Sequence, residues 1–102
     1  IDQLLAGTKA DLKVVLTHYP PTYLVLEGER TSAWPEMACR RFEPIIEQRQ
    51  PDCWIHGHIH RGRILEVTIG RTLIRNVSLP ANEKITVLEL PRKSGLERFL
   101  TG

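Results

Sequence analysis

Long apolar runs and clusters of basic residues are both missing from this sequence. The longest apolar stretches are far too short to span a bilayer, so we predict no membrane-crossing segment. Lysines and arginines are scattered and the formal net charge is only +2, which leaves no electrostatic footprint for nucleic acid. A weakly positive surface of this kind still suits a substrate that carries phosphate.

Cysteine is scarce as well. The chain has two cysteines, Cys39 and Cys53, without C-x-x-C spacing, so the sequence indicates neither a zinc ribbon nor a disulfide framework. We interpret both as reduced, small core residues of a cytoplasmic protein. The sequence shows no internal repeat, and its 102 residues make one domain or part of one. It begins at Ile1 rather than methionine, so a signal peptide upstream would not be visible in it.

All four histidines fall within two short segments. One is Thr17-His18-Tyr19-Pro20-Pro21, and the other is His56-Gly57-His58-Ile59-His60. Neutral imidazole is the commonest metal ligand in proteins, so this concentration favours a metal site. The alternative is that histidines two positions apart merely share one face of a strand. The secondary structure predicted around the histidines distinguishes between these two interpretations.

Short apolar segments predict buried strands that lead into both histidine segments. Residues 11–17 are rich in β-branched residues, and Pro20 then prevents the strand from continuing. Residues 52–56 have the same apolar character, and the stretch between the two strands is helical in pattern. A strand–helix–strand order favours a parallel pair with a right-handed crossover. Both strands then end at one edge of the sheet, which brings His18 close to the second segment, where Gly57 is expected to allow a tight turn.

The rest of the chain predicts five further features. Residues 34–50 are expected to be helical with a break before Pro44, because proline is tolerated in the first turn of a helix. Residues 28–32 are either a mobile loop beside the site or an ordinary connector. A β-hairpin is expected over residues 62–77 with its turn at Gly70, and residues 85–90 are expected to add a last strand. Residues 92–102 are expected to form a basic tail with a short helix near its end.

The two histidine segments together carry a family resemblance. Thr17-His18-Tyr19-Pro20-Pro21 followed by Gly57-His58-Ile59-His60 resembles the last two motifs of the calcineurin-like metallophosphoesterases in order, spacing and flanking strands. Leu73-Ile74-Arg75-Asn76 is similar to the strand that follows the second motif in that family. The resemblance implies an α/β (α+β) fold, a parallel strand pair with a crossover helix followed by antiparallel strands. Residues 1–102 would be the carboxyl-terminal half of a four-layer α/β/β/α sandwich.

The resemblance also implies roles for individual residues. His18 and His58 would bind one divalent ion of a dinuclear site and His60 the other, with Mn, Fe or Zn as the metal. The implied reaction is hydrolysis of a phosphoester by in-line attack of an activated water. Arg61 would bind a substrate phosphate, or it is an exposed turn residue. His56 matches no ligand position, and it either supports the ligands from behind or is a buried strand histidine.

Three earlier motifs of that family, D-x-H, G-D-x-x-D and G-N-H, do not occur in this chain. The carboxylates that would bridge two ions are therefore missing, and the chain alone is expected to be inactive. We expect its partner, besides a phosphoester substrate, to be the missing amino-terminal half or another copy of the chain. Two alternatives remain: a non-catalytic scaffold that uses the same fold to bind proteins, and a small structural metal domain with four closed ligands. A monoester, a diester, a nucleotide and a phosphoprotein all remain open as the substrate.

Overall fold

A computed structural model describes residues 1–90, and a four-stranded mixed sheet in it positions the other elements. The strands are β1 (Val14–Thr17), β2 (Cys53–His56), β3 (Glu66–Ile69) and β4 (Thr72–Asn76). The α-helices are α1 (Asp2–Gly7), α2 (Trp34–Met37), α3 (Glu43–Arg49) and α4 (Leu79–Asn82). Short 3-10 turns cover Tyr23–Val25, Thr31–Ala33 and Arg40–Phe42. None of the helices in this range combines the length and the apolarity that a membrane crossing needs.

β1 and β2 lie side by side and run parallel, as the sequence predicts. Their register pairs Thr17 with His56, so both strands end at the same edge of the sheet. The connection between them contains α3, whose Ile46 is fully buried in the same apolar cluster as Trp54 of β2. The strand–helix–strand prediction is therefore confirmed, and it places the two histidine segments next to each other.

The strand order is β1-β2-β4-β3, which differs from the expected run of antiparallel strands. β3 and β4 form the predicted hairpin, with Gly70 in the left-handed conformation (φ 60°) at its tip. Because β3 takes the outer position, β4 returns between β3 and β2 and runs parallel to β2. A hairpin signal specifies how two strands pair, and it carries no information about which of them meets the rest of the sheet.

The predicted strand at residues 85–90 is wrong, because the structure assigns no strand to this segment. Ile85 and Val87 are 83% and 84% exposed, and they pair with none of the strands described within residues 1–90. Alternating apolar residues form a strand only where a sheet edge exchanges hydrogen bonds with them. The basic tail predicted at residues 92–102 lies outside the described residues.

Within residues 34–50, α3 begins before Pro44 as predicted, but the helical region breaks earlier than expected, after Met37. α2 ends at Met37, a 3-10 turn follows, and α3 begins at Glu43 with Pro44 in its first turn. Proline is harmless at that place because the first N–H groups of a helix have no partner within it. After α3 ends at Arg49, Gln50 adopts a left-handed conformation (φ 47°) that turns the chain toward β2.

The sheet is covered on one face and open at its β1 edge. Trp54 and Ile74, paired across β2 and β4, belong to a fully buried cluster that also contains Val25, Leu26, Ile46 and Ile59. The burial predicted for β1 is wrong: Val14 and Leu16 are 44% and 74% exposed and alternate with half-buried neighbours. β1 is also an edge strand in the described sheet. Proteins usually pair or shield an apolar edge strand, because it is otherwise prone to aggregate.

Candidate metal centre

The two histidine segments meet at the shared carboxyl edge of β1 and β2. The main-chain N–H of Gly57 donates a hydrogen bond to the carbonyl of His18 (3.1 Å), which ties the second segment to the first. The imidazole rings of His18 and His58 lie 4.9 Å apart, centroid to centroid. The predicted convergence of the two segments is therefore confirmed.

Tyr19 belongs to the same group of rings, and no sequence signal gave it a role. Its ring meets that of His58 edge-on at 4.6 Å and that of His18 at 5.1 Å. The hydroxyl of Thr17 donates to the carbonyl of Tyr19 (2.7 Å) and so fixes the main chain beside the ring. We name His18, Tyr19 and His58 the ring cluster. Strand periodicity ends at residue 17, so it does not specify where the next side chain points.

The turn in the second segment is made by His58 itself. His58 has a φ of 68°, in the left-handed region, and the N–H of Ile59 donates to the carbonyl of Gly57 (2.8 Å). A bond that closes a three-residue turn around a residue with positive φ matches the rarer, more strained form of γ-turn. Non-glycine residues held in such conformations cost about 1–3 kcal/mol each and concentrate at functional sites.

Gly57 does not make the tight bend that the sequence predicts. Its φ is not positive, and a Cβ at this position would meet no atom within 4 Å. The bend lies one residue later because Gly57, through its bond to His18, still continues the pairing of β2 with β1. The strained residue is therefore a candidate ligand rather than the neighbouring glycine.

Two polar residues at the end of β4 hold the carbonyl of Ile59. The side-chain amide of Asn76 and the hydroxyl of Ser78 both donate to it, each at 2.8 Å. Asn76 is fully buried and lies in register with His56. The segment between His58 and His60 is thereby fixed to the sheet from a third strand.

His56 lies inside the protein rather than in the ring cluster. It is fully buried, and its Nδ1 lies 2.9 Å from the carbonyl of Gly57, to which it donates in the Nδ1–H tautomer. Its Nε2 is buried and has no hydrogen-bond partner in the described part of the chain. Burial lowers the pKa of His56, since the fold disfavours the charged ring. Of the two interpretations of His56, the structure shows the buried strand histidine, with its Nδ1 bonded to Gly57 beside the turn at His58.

Burial and two neighbouring histidines favour the neutral form of His58. Burial lowers the pKa of His58, the nearby His18 and His60 lower it further, and the carboxylate of Glu29 acts in the opposite direction. A neutral imidazole has the lone pair that a metal ion needs. Glu29 is also a carboxylate near the site that the sequence did not reveal, although the loop that carries it was expected beside the site.

His18 and His58 suit a shared ion, because ring nitrogens each about 2.0–2.1 Å from one metal bring their rings into contact. His60 and Arg61 are exposed on the turn that follows. Residues 1–90 contain no group of three or more histidine, cysteine or acidic side chains arranged to hold one ion. This part of the chain therefore offers a two-imidazole donor pair, and neither a complete dinuclear site nor a closed four-ligand site.

No protein-family model matches the chain, and neither a curated protein nor a solved structure matches it. The resemblance of its two motifs therefore stands without support from a relative. A metal site is supported instead by the geometry of the ring cluster and of the turn at His58.

The metal-free protein is expected to lose stability as the pH falls below about 6.5, the ordinary pKa of histidine. The pKa of His56 is lowered by burial, so the unfolded chain binds a proton before the folded one does. The contribution of neutral His56 to the free energy of unfolding is fully present above the pKa of the unfolded chain. Below that pKa it declines by up to about 1.4 kcal/mol per pH unit. Urea unfolding between pH 7.5 and 5.5, in the presence of a chelator, measures this slope. His56→Asn should give a shallower slope, and equal slopes would contradict the assignment.

Proposed function

We propose that this chain supplies part of a dinuclear metal site that hydrolyses a phosphoester. One observation carries the proposal: the rings of His18 and His58 lie 4.9 Å apart at the shared carboxyl edge of two parallel strands. Ligand sites in sheets of this kind gather outside the carboxyl ends of the strands. The strained backbone of His58 adds support, because strain of this kind is maintained mainly where a function requires it.

Each residue of the site has a separate role in this proposal. His18 and His58 would hold one divalent ion, and His60 would hold the other, with Mn, Fe or Zn as the metals that suit imidazole donors. When bound, such a pair would supply an activated water and stabilise charge on the phosphoryl oxygens. Tyr19 packs edge-on against the rings of His18 and His58 and so restricts their rotation. Arg61 is exposed one residue after His60, where its guanidinium is accessible to a substrate phosphate.

The remaining metal ligands have to come from outside the described residues. Two cations held close together repel unless carboxylates offset their charge, and the histidines alone do not do this. In the proposal a second half of a four-layer sandwich, or another copy of the chain, supplies those carboxylates. The exposed apolar side chains of Val14 and Leu16 on the edge strand β1 give such a partner a place to pair.

Metal retention by the chain tests the donor pair. Wild-type protein, stripped with a chelator and dialysed against Zn²⁺, should retain zinc by elemental analysis. His18→Ala should weaken zinc binding by more than about 10-fold, since even changes behind metal ligands cost about 10–100-fold. Lys9→Ala is the matched control, because Lys9 is exposed and precedes β1 at the end of the strand away from the site. Equal zinc affinity of His18→Ala and wild type would contradict the proposal.

A non-catalytic scaffold is the second candidate, and the exposed apolar side chains favour it. Leu4, Val14 and Leu16 are 77%, 44% and 74% exposed, and Leu4 and Val14 line one groove between α1 and β1. Larger exposed apolar patches often mark protein–protein interaction sites. The two candidates differ in their metal dependence: a scaffold would keep its protein partner after His18→Ala, whereas a hydrolase would lose turnover.

A further inference from the structure

A short loop before α2 is hydrogen-bonded to the turn that follows the second histidine segment. The carbonyl of Glu27 accepts a hydrogen bond from the N–H of Arg63 (2.7 Å). Two residues further along the loop, Oε1 of Glu29 accepts from the N–H of Arg61 (2.7 Å). The loop and the turn are more than thirty residues apart in sequence, so these bonds are tertiary contacts. We name residues 27–29 and 61–63 together the clasp.

Glycines on both sides allow the clasp to close. Gly28 has a φ of 105°, and a Cβ there would lie 2.5 Å from the carbonyl oxygen of Arg61. A Cβ on Gly62 would lie 2.8 Å from Cγ2 of Ile59 and 3.0 Å from the carbonyl oxygen of Val25. Glycine at both places therefore permits an approach that any side chain would prevent. The fit indicates a shaped contact rather than a chance approach of two loops.

Glu29 itself is held firmly enough to act as an anchor. Its N–H donates to the carbonyl of Leu26 (2.9 Å), and its carbonyl accepts from the indole N–H of Trp34 (3.2 Å). With its main chain bonded in both directions, Glu29 projects a half-buried carboxylate toward Arg61. A charged acceptor makes a stronger bond to a main-chain N–H than a neutral one does.

We propose that Glu29 is a positioning residue of the metal site: through the N–H of Arg61 it holds the turn that presents His58 and His60. The inference rests on the proposed function, since it concerns the same site. Asn76 and Ser78 fix the turn on the side of Ile59, and Glu29 fixes it on the other side of His60. Without the Glu29 anchor the turn pivots about Ile59, which moves His58 as well as His60, and the Zn²⁺ affinity of the His18–His58 pair reports that movement.

Four single variants of the full chain separate the reach of the side chain from its charge. Glu29→Gln keeps an oxygen that can accept from Arg61 and loses the charge, whereas Glu29→Asp keeps the charge and shortens the reach. Glu29→Ala loses both. Glu27→Gln is the matched control, because the side chain of Glu27 is exposed and the clasp uses only its carbonyl. The readout is Zn²⁺ affinity by isothermal titration of metal-free protein, with the thermal unfolding midpoint recorded for each variant.

We expect Glu29→Ala to weaken Zn²⁺ binding by about 10-fold, the lower end of losses from residues behind a metal ligand. Glu29→Asp should resemble Glu29→Ala, Glu29→Gln should recover most of the affinity, and Glu27→Gln should match wild type. If Glu29→Ala does not fold, the comparison of Glu29→Asp with Glu29→Gln decides. Wild-type affinity in Glu29→Asp, or an equal loss in Glu27→Gln, overturns the inference and leaves the proposed function intact. If wild type binds no zinc, the proposed function and this inference both fail.

Discussion

Under the proposed function, His58→Ala is expected to abolish metal retention by the chain and phosphoester hydrolysis by the assembled site. We expect kcat/KM for an aryl phosphate to fall by more than about 100-fold, beyond the losses seen when residues behind a ligand are changed. The reason is position: the His58 ring contacts both other members of the ring cluster, and its backbone is strained to place it there. Zinc content by elemental analysis and turnover of an aryl phosphate are the two measurements.

His56→Ala is the matched comparison, because it removes an imidazole two positions away. His56 is fully buried, so its loss should lower the free energy of unfolding by about 2 kcal/mol or more. Zinc content should fall less than in His58→Ala, since the Nδ1 of His56 is directed at the carbonyl of Gly57. His58→Ala should therefore lose mainly bound metal, and His56→Ala should lose mainly stability. Equal loss of metal in both would show that the ligand assignment is wrong.

The isolated chain of residues 1–102 is expected to show no turnover and to associate with itself. β1 is an edge strand, and Leu16 is 74% exposed on it, so the backbone and an apolar side chain are both open to a second strand. Leu16→Lys should weaken self-association by at least about 10-fold, because natural proteins use edge lysines to prevent such pairing. Analytical ultracentrifugation over a range of concentrations measures the effect.

Val87→Lys is the control for that experiment. Val87 is 84% exposed but lies outside the strands, so the same change in charge and polarity there should leave association unchanged. Turnover by a monomeric wild-type chain, at a rate like that of a complete metallophosphoesterase, would contradict the expectation. It would mean that residues 1–102 build a site without carboxylates from a partner.

Local chemistry in the sequence was enough to predict the parallel pair and the start of α3. Pro44 places the start of α3 within a residue of Glu43, and the apolar runs before His18 and Gly57 predict two strands. The burial predicted for β1 is wrong, because β1 lies at an edge of the described sheet, where Val14 and Leu16 are exposed. The meeting of His18 with His58 followed from the geometry of parallel strands rather than from the histidines themselves.

Features that depend on tertiary placement could not be predicted in the same way. Residues 85–90 alternate like a strand, but no sheet edge receives them in the described fold. Glu29 lies in a polar loop whose sequence resembles a solvated connector, and its role depends on a partner far away in the chain. The left-handed turn fell on His58 rather than on Gly57 because the pairing of two strands continues one residue further than their sequences indicate.

Each of the two tryptophans is hydrogen-bonded to a different side of the site. The indole of Trp54 donates to the hydroxyl of Thr17 (2.9 Å), which in turn bonds the carbonyl of Tyr19 in the ring cluster. The indole of Trp34 donates to the carbonyl of Glu29 in the clasp. Indole emission responds to its hydrogen-bond partners, so the protein carries one intrinsic fluorophore for each half of the site. Replacing either tryptophan with phenylalanine leaves a single reporter, and an unlabelled titration then distinguishes movement of the rings from movement of the loop.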